Sequence, residues 1–212
     1  DEGDRFLGVV HLRDLLRIAQ SEATEDIYKF AGVSAEENML DSPWAAVKNR
    51  YAWLIINLAT AFLAAFVVSL FKGTIDRLAI LAVYMPIVAG MGGNAATQTL
   101  AVVVRGLALS DITTRQKVQL ITKEIFAGAM NGLINGIIVA SVIVLLHQPP
   151  LLAAILATAM VINMIVAGIA GAVMPLTLRA LKIDPAVSST VFVTTATDCI
   201  GFLAFLGLAS FL

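Results

Sequence analysis

The sequence predicts an all-α membrane protein with five spanning helices, and three observations predict it. Of 212 residues, 59% are hydrophobic and only 14% are charged, whereas soluble domains carry roughly a quarter charged residues. Five long stretches are almost free of charge: Trp53–Phe71, Leu78–Val104, Ile125–Leu146 and Leu151–Leu178 contain no Asp, Glu, Lys or Arg, and Ala186–Leu212 contains only Asp198. A helix of about 20 apolar residues crosses a hydrocarbon core of about 30 Å, so each stretch is long enough to span. Lys and Arg, finally, fall on alternate connections.

That distribution sets an expected orientation, because short cytoplasmic loops carry the excess of positive charge. Lys48, Arg50, Arg105, Arg115, Lys117, Lys123, Arg179 and Lys182 fall on one side, against Lys72 and Arg77 on the other. The N-terminus is therefore expected in the cytoplasm and the C-terminus outside. Trp44, Tyr51 and Trp53 suit the inner interfacial belt. Between the spans, Lys72-Gly73, Gln148-Pro149-Pro150 and Asp184-Pro185 read as helix ends.

The first fifty residues are polar. Arg5–Val10 reads as a short strand and Leu12–Ala19 as the helix after it, together the end of a domain whose earlier, soluble part is expected to precede Asp1. Between Gln20 and Ala45 the acids Glu22, Glu25, Asp26, Glu36, Glu37 and Asp41 face one base, Lys29. This is either a solvated linker face or a candidate regulatory cluster, with Glu22, Glu25 and Asp26 at its heart, that senses a divalent ion. Ser42-Pro43 makes a good N-cap and first-turn pair, so a helix over Pro43–Arg50 should lead into the first span.

Within the membrane the informative residue is Asp198. Asp at a span centre costs about 2.5–3.5 kcal/mol on insertion scales, so it calls for a partner or a use. Thr194 and Thr195 stand one turn before it and Gly201 one turn after, a narrow polar stripe that should face protein or water. In the second span Pro86, Gly90, Gly92 and Gly93 predict a kinked or broken helix. Irregular backbone at that depth lines a cavity or is buried in protein, and Asn94 and Gln98 would present amides on one side. Gly128, Gly132 and Gly136 predict close helix packing in the third span, with Asn131 and Asn135 as interhelical glue. Asn163, Gly168 and Gly171 read as packing in the fourth. Glu124, next to Lys123 at the cytoplasmic edge, reads either as a snorkelling ion pair or as a point of ion entry.

Met85-Pro86-Ile87-Val88-Ala89-Gly90-Met91-Gly92-Gly93-Asn94, Val104-Arg105-Gly106-Leu107-Ala108 and Thr194-Thr195-Ala196-Thr197-Asp198 together resemble the MgtE family of Mg²⁺ channels, from roughly Ala23 to the end. The resemblance implies a homodimer with five spans per subunit and a pore on the two-fold axis, lined by the second and fifth spans. It implies a hydrated Mg²⁺ held near Asp198 and the Thr194 carbonyl, with Asn94, Gly93, Thr195, Thr197, Gly201 and Gln98 lining the path. It also implies a cytoplasmic pair of CBS modules, closing the pore when Mg²⁺ is plentiful, of which Phe6–Leu16 looks like the tail.

On this reading residues 1–20 are the incomplete CBS tail, 21–50 an acidic linker and helix, and 51–212 the five-helix pore domain of a bacterial plasma (inner) membrane protein. Mg²⁺ is the transported and also a regulatory ion, and the partners are a second copy, lipid and Mg²⁺. The rival class is a proton- or Na⁺-coupled secondary transporter, since a lone intramembrane carboxylate also suits a relay. A non-transporting anchor is a third reading, in which Asp198 and Asn94 are dispensable. No basic surface for nucleic acid is present. His11 and His147 lie far apart, and no nucleophile–base pair converges, so an enzyme is not expected.

Overall fold

The computed structural model describes residues 10–34, 37–109, 113–185 and 189–211, and within these every regular element is a helix. In chain order these are α1 (Leu12–Phe30), α2 (Pro43–Ser69), α3 (Lys72–Arg77), α4 (Ile80–Leu109), α5 (Thr114–Leu145), α6 (Pro150–Ala180) and α7 (Ser189–Ala209). Five of them, α2, α4, α5, α6 and α7, are long and apolar enough to cross a membrane. The chain is a multi-pass membrane protein. Of the expected strand at Arg5–Val10, all but Val10 lies outside the described residues, and α1 runs on to Phe30 rather than ending at Ala19.

The helix ends follow from local chemistry. Ser42 caps α2, its Oγ accepting from the Ala45 amide at 3.3 Å with Pro43 next, and the lead-in helix is continuous with the first span. A reciprocal capping box opens α5: the Gln116 amide donates to Thr113 Oγ1 at 3.4 Å while the Thr113 amide donates to Gln116 Oε1 at 2.8 Å. Three helices close with the same paired backbone bonds, in which the second residue past the cap reaches back across the last turn. Val33 donates to Tyr28 O at 2.9 Å, Gln148 to Ile143 O at 3.1 Å and Ile183 to Leu178 O at 2.9 Å. Each motif puts one residue in the left-handed region: Gly32 at φ 71°, His147 at 57° and Lys182 at 60°. Only the first of them is a glycine, for which that conformation carries no Cβ penalty.

α6 is the centre of the bundle. It packs against α5, α4 and α7 and is the most buried span, whereas α2, the least buried, leans on α7. In lipid such packing is driven by close van der Waals contact rather than by removal of apolar surface from water, and the glycines show how close it is. A Cβ on Gly132 would stand 2.6 Å from Val161 Cα, and one on Gly136 would stand 3.0 Å from the Ala157 carbonyl oxygen. The α5 glycine ladder is thus a seam against the α6 backbone. Its amides are not the expected glue: Asn131 is exposed, and Asn135 Nδ2 donates back to Asn131 O at 2.8 Å within its own helix. α4 is not broken either, since it runs helical through Pro86 and all three glycines.

Candidate functional site

α4 and α7 lie side by side with Gly93 facing Thr194, so close that a Cβ on Gly93 would touch Thr194 Cγ2 at 3.6 Å. Beside this contact the subunit presents a polar strip at membrane depth. Asn94 and Gln98 are exposed on α4, and Thr194, Thr195 and Asp198 are half-buried on α7. Asp198 is the tenth of the 21 residues of its helix, and among the described residues its carboxylate has no hydrogen-bond or ion-pair partner. Its neighbours are otherwise engaged. Thr194 Oγ1 donates to Thr190 O at 2.9 Å and Thr195 Oγ1 to Val191 O at 2.6 Å, which satisfies each hydroxyl proton and leaves oxygen lone pairs to accept from water.

Two expected lining residues turn inwards. Thr197 is fully buried, and Gly201 is buried against Asn163 of α6. The Thr194 carbonyl, expected to join an ion site, accepts Thr197 Oγ1 at 2.8 Å within α7.

Behind the strip sits a residue that composition could not single out. Asn163 is 1% exposed, and its Nδ2 donates to Val88 O of α4 at 2.8 Å while Oδ1 has no partner. Its amide fills the space left by two glycines, Gly92 on α4 and Gly201 on α7. It is a wedge that fixes the spacing of the two helices carrying the polar strip.

Above the strip lies the end of α1. Lys29 Nζ bonds Glu25 Oε1 at 2.8 Å and Asp184 Oδ2, in the α6–α7 connection, at 2.9 Å. These bonds, to Glu25 first and then Asp184, raise the lysine pKa further above its ordinary value. Thr190 Oγ1, near the start of α7, donates to the Phe30 carbonyl at 3.0 Å. Phe30, Ala31, Trp53, Asn57, Thr190 and Thr194 enclose a cavity of 260 Å³ there. The end of α1 thus covers the end of the strip nearest Thr194. Of the acidic cluster, Glu25 is the member seen in contact; the side chains of Glu22 and Asp26 lie outside the described residues. Arg50 forms a fork to Glu37, which is 7% exposed, so that acid serves the join between α1 and α2.

Glu124 is only 7% exposed, and it does more than pair at an edge: it accepts from Lys123 Nζ at 2.9 Å and from Thr99 Oγ1 of α4 at 3.0 Å. Among the described residues no group of three or more His, Cys, Asp or Glu converges to hold a metal. The chemistry the strip can offer an ion is one carboxylate with hydroxyl and amide oxygens, suited to a cation that keeps most of its water.

The comparisons with known proteins point the same way. Residues 85–208 match the family model MgtE, described as a divalent cation transporter. The chain is 30% identical over 210 residues to the magnesium transporter MgtE of Bacillus subtilis (strain 168), a match covering 99% of this chain and 47% of that protein. It is 34% identical to the magnesium transporter MgtE of Enterococcus faecalis (strain ATCC 700802 / V583), covering 99% of the chain and 46% of that protein. It is 32% identical to the magnesium transporter MgtE of Thermus thermophilus, covering 100% and 47%. The chain spans about half the length of the curated relatives it matches. With the family model covering more than half of its residues, including both helices of the polar strip, the chain belongs to the MgtE family of divalent cation transporters.

Proposed function

We propose that this chain is the membrane part of a Mg²⁺ channel in which Asp198 attracts a hydrated ion at the middle of the bilayer. The observation that carries the reading is the partnerless Asp198 on a strip with Asn94, Gln98 and two threonine hydroxyls. An isolated carboxylate facing lipid costs about 2.5–3.5 kcal/mol. A second copy related by a two-fold axis would turn the strips toward each other, where one divalent ion balances both charges. Mg²⁺ dehydrates reluctantly and typically uses one or two carboxylates while keeping several waters, which fits so sparse a donor set. The names of the relatives support Mg²⁺ as the ion.

The Lys and Arg bias supports a cytoplasmic N-terminus in a bacterial plasma membrane, with residues 1–20 as a CBS tail, 21–50 as the coupling segment and 51–212 as the pore domain. Closure by cytosolic Mg²⁺ would act through α1, which meets both Asp184 and Thr190. The protein works as a conduit and not as an enzyme. Mg²⁺ flux into proteoliposomes tests this: Asp198→Asn should lower it at least tenfold, by roughly the 1.4 kcal/mol or more of attraction lost with the charge, with the oligomer unchanged. Undiminished flux rejects the assignment, and a fixed dependence on the pH or Na⁺ gradient transfers the chain to the coupled transporters.

A further inference from the structure

A cavity of 220 Å³ opens between α4 and α5 over the α6 backbone, lined by Gln98, Thr99, Lys123, Glu124 and Asn131 with small residues between them. It shares Gln98 with the strip that bears Asp198, while the rest of its lining lies on other residues. On a 3.6-residue period Ala95, Gln98, Thr99 and Val102 form the flank of α4 turned away from Gly93, which faces α7. Glycine makes the cavity's floor. A Cβ on Gly168 would stand 2.5 Å from the Glu124 carbonyl oxygen, so α5 and α6 touch there along their backbones.

We infer that this cavity is a second binding site for a hydrated divalent cation, with Glu124 as its charged ligand and the Lys123 ammonium as a tethered stand-in for the ion. Three features carry it. A carboxylate offers about four acceptor positions, and Glu124 uses one on the Thr99 hydroxyl and one on Lys123, which leaves capacity toward the cavity. The two members of the ion pair are unequally held: the side chain of Glu124 is 9% exposed and that of Lys123 64%. The acid is fixed and the base is free to leave. The space suits water as well as metal, since 220 Å³ holds about seven waters at about 30 Å³ each. The Gln98 and Asn131 amides and the Thr99 hydroxyl supply the uncharged partners that a hydrated ion's waters need.

A purely structural ion pair accounts less well for this arrangement. With its lysine 64% exposed the pair itself adds little stability, and ionisable groups inside spans ordinarily face a pathway or a watery cavity. Glu124 is the eleventh residue of α5, about 15 Å along the helix from its first residue, next to Lys123 and nearer the end of α5 that follows the α4 end bearing Arg105. The site would therefore concentrate cations on the charged side of the membrane. The choice of a divalent ion rests on the transport reading above, but the site does not need Asp198.

The test uses Mn²⁺ as the probe, titrated by electron paramagnetic resonance onto the whole chain in nanodiscs, with Asp198→Asn as the background. Adding Glu124→Gln should remove one Mn²⁺ per subunit. Adding Lys123→Met instead should tighten that ion roughly fivefold, because it deletes a competing ion pair together with a like charge. Unchanged stoichiometry in a folded Glu124→Gln protein, or unchanged affinity with Lys123→Met, overturns the proposal. Lys123→Met keeps the carboxylate, so it decides the matter alone if Glu124→Gln does not assemble. Because binding is read directly, loss of Mn²⁺ at Glu124 stands even if Asp198→Asn proves harmless to flux.

Discussion

Adding one methyl group at Gly201 tests how the α4–α7 spacing is set. A Cβ at Gly201 would lie 2.7 Å from Asn163 Nδ2 and 2.9 Å from Cγ, and the amide cannot retreat, because a Cβ-sized space is all that separates it from Gly92 on the far side. Gly201→Ala should therefore cost about 1–3 kcal/mol in overpacking. To this is added the Asn163–Val88 bond, worth about 0.6 kcal/mol on average and up to about 1.7 in a membrane, for a total of about 2–4 kcal/mol. Asn163→Ala loses the same bond but also removes the unpaired Oδ1, whose burial costs about 1–3 kcal/mol, and should be nearly neutral. In the double variant the obstacle is gone, and Gly201→Ala should cost less than about 1 kcal/mol, partly offset by the helix preference of Ala over Gly. Unfolding of the four proteins in detergent gives the cycle, with an expected coupling of about 2–3 kcal/mol. Additivity within about 0.5 kcal/mol would refute the wedge. Mg²⁺ flux should follow the same order, since Gly201 lies one turn from Asp198.

Two more outcomes follow from the geometry. Gly132→Ala, aimed at Val161 Cα at 2.6 Å, should destabilise by about 1–3 kcal/mol, and Gly136→Ala, with 3.0 Å to the Ala157 oxygen, by less; equal melting temperatures for the two would count against a backbone-to-backbone seam. His147→Gly should stabilise by up to about 1 kcal/mol, because a left-handed residue bearing a Cβ is disfavoured by about 1–2 kcal/mol and glycine returns part of that as chain entropy. Denaturant unfolding reads the change, and a loss of stability would mean that the imidazole holds the turn in some other way.

The spans were legible because their length and lack of charge are properties of the chain alone. So were the α2 cap, which needs only Ser42-Pro43, and the glycine seam, whose four-residue spacing fixes one face of α5. What escaped was whatever depends on a neighbour's identity. A helical wheel places Thr194, Asp198 and Gly201 near one another but cannot say on which side of Asp198 the next helix stands; α6 stands on the Gly201 side, so Gly201 and Thr197 are covered while Thr195 stays half-buried. Asn163 resembled any packing amide until Gly92 and Gly201 were seen to bracket it. Asn135 misled for the opposite reason, since an amide in a helix can bond its own backbone as readily as another helix. Pro86 did not break α4, because surrounding helices tolerate the lost donor in a span.

The attachment of α2 has a bearing on biosynthesis. Of the five candidate spans described, α2 leaves the ribosome first, yet the helix it leans on, α7, leaves after the other four. Throughout the synthesis of more than a hundred intervening residues it must wait in the bilayer without its eventual neighbour. Its composition suits that interval, because Trp53 to Ser69 carries no charge on any side, so lipid can surround it completely. The arrival of the carboxylate-bearing helix then gives the waiting one its berth.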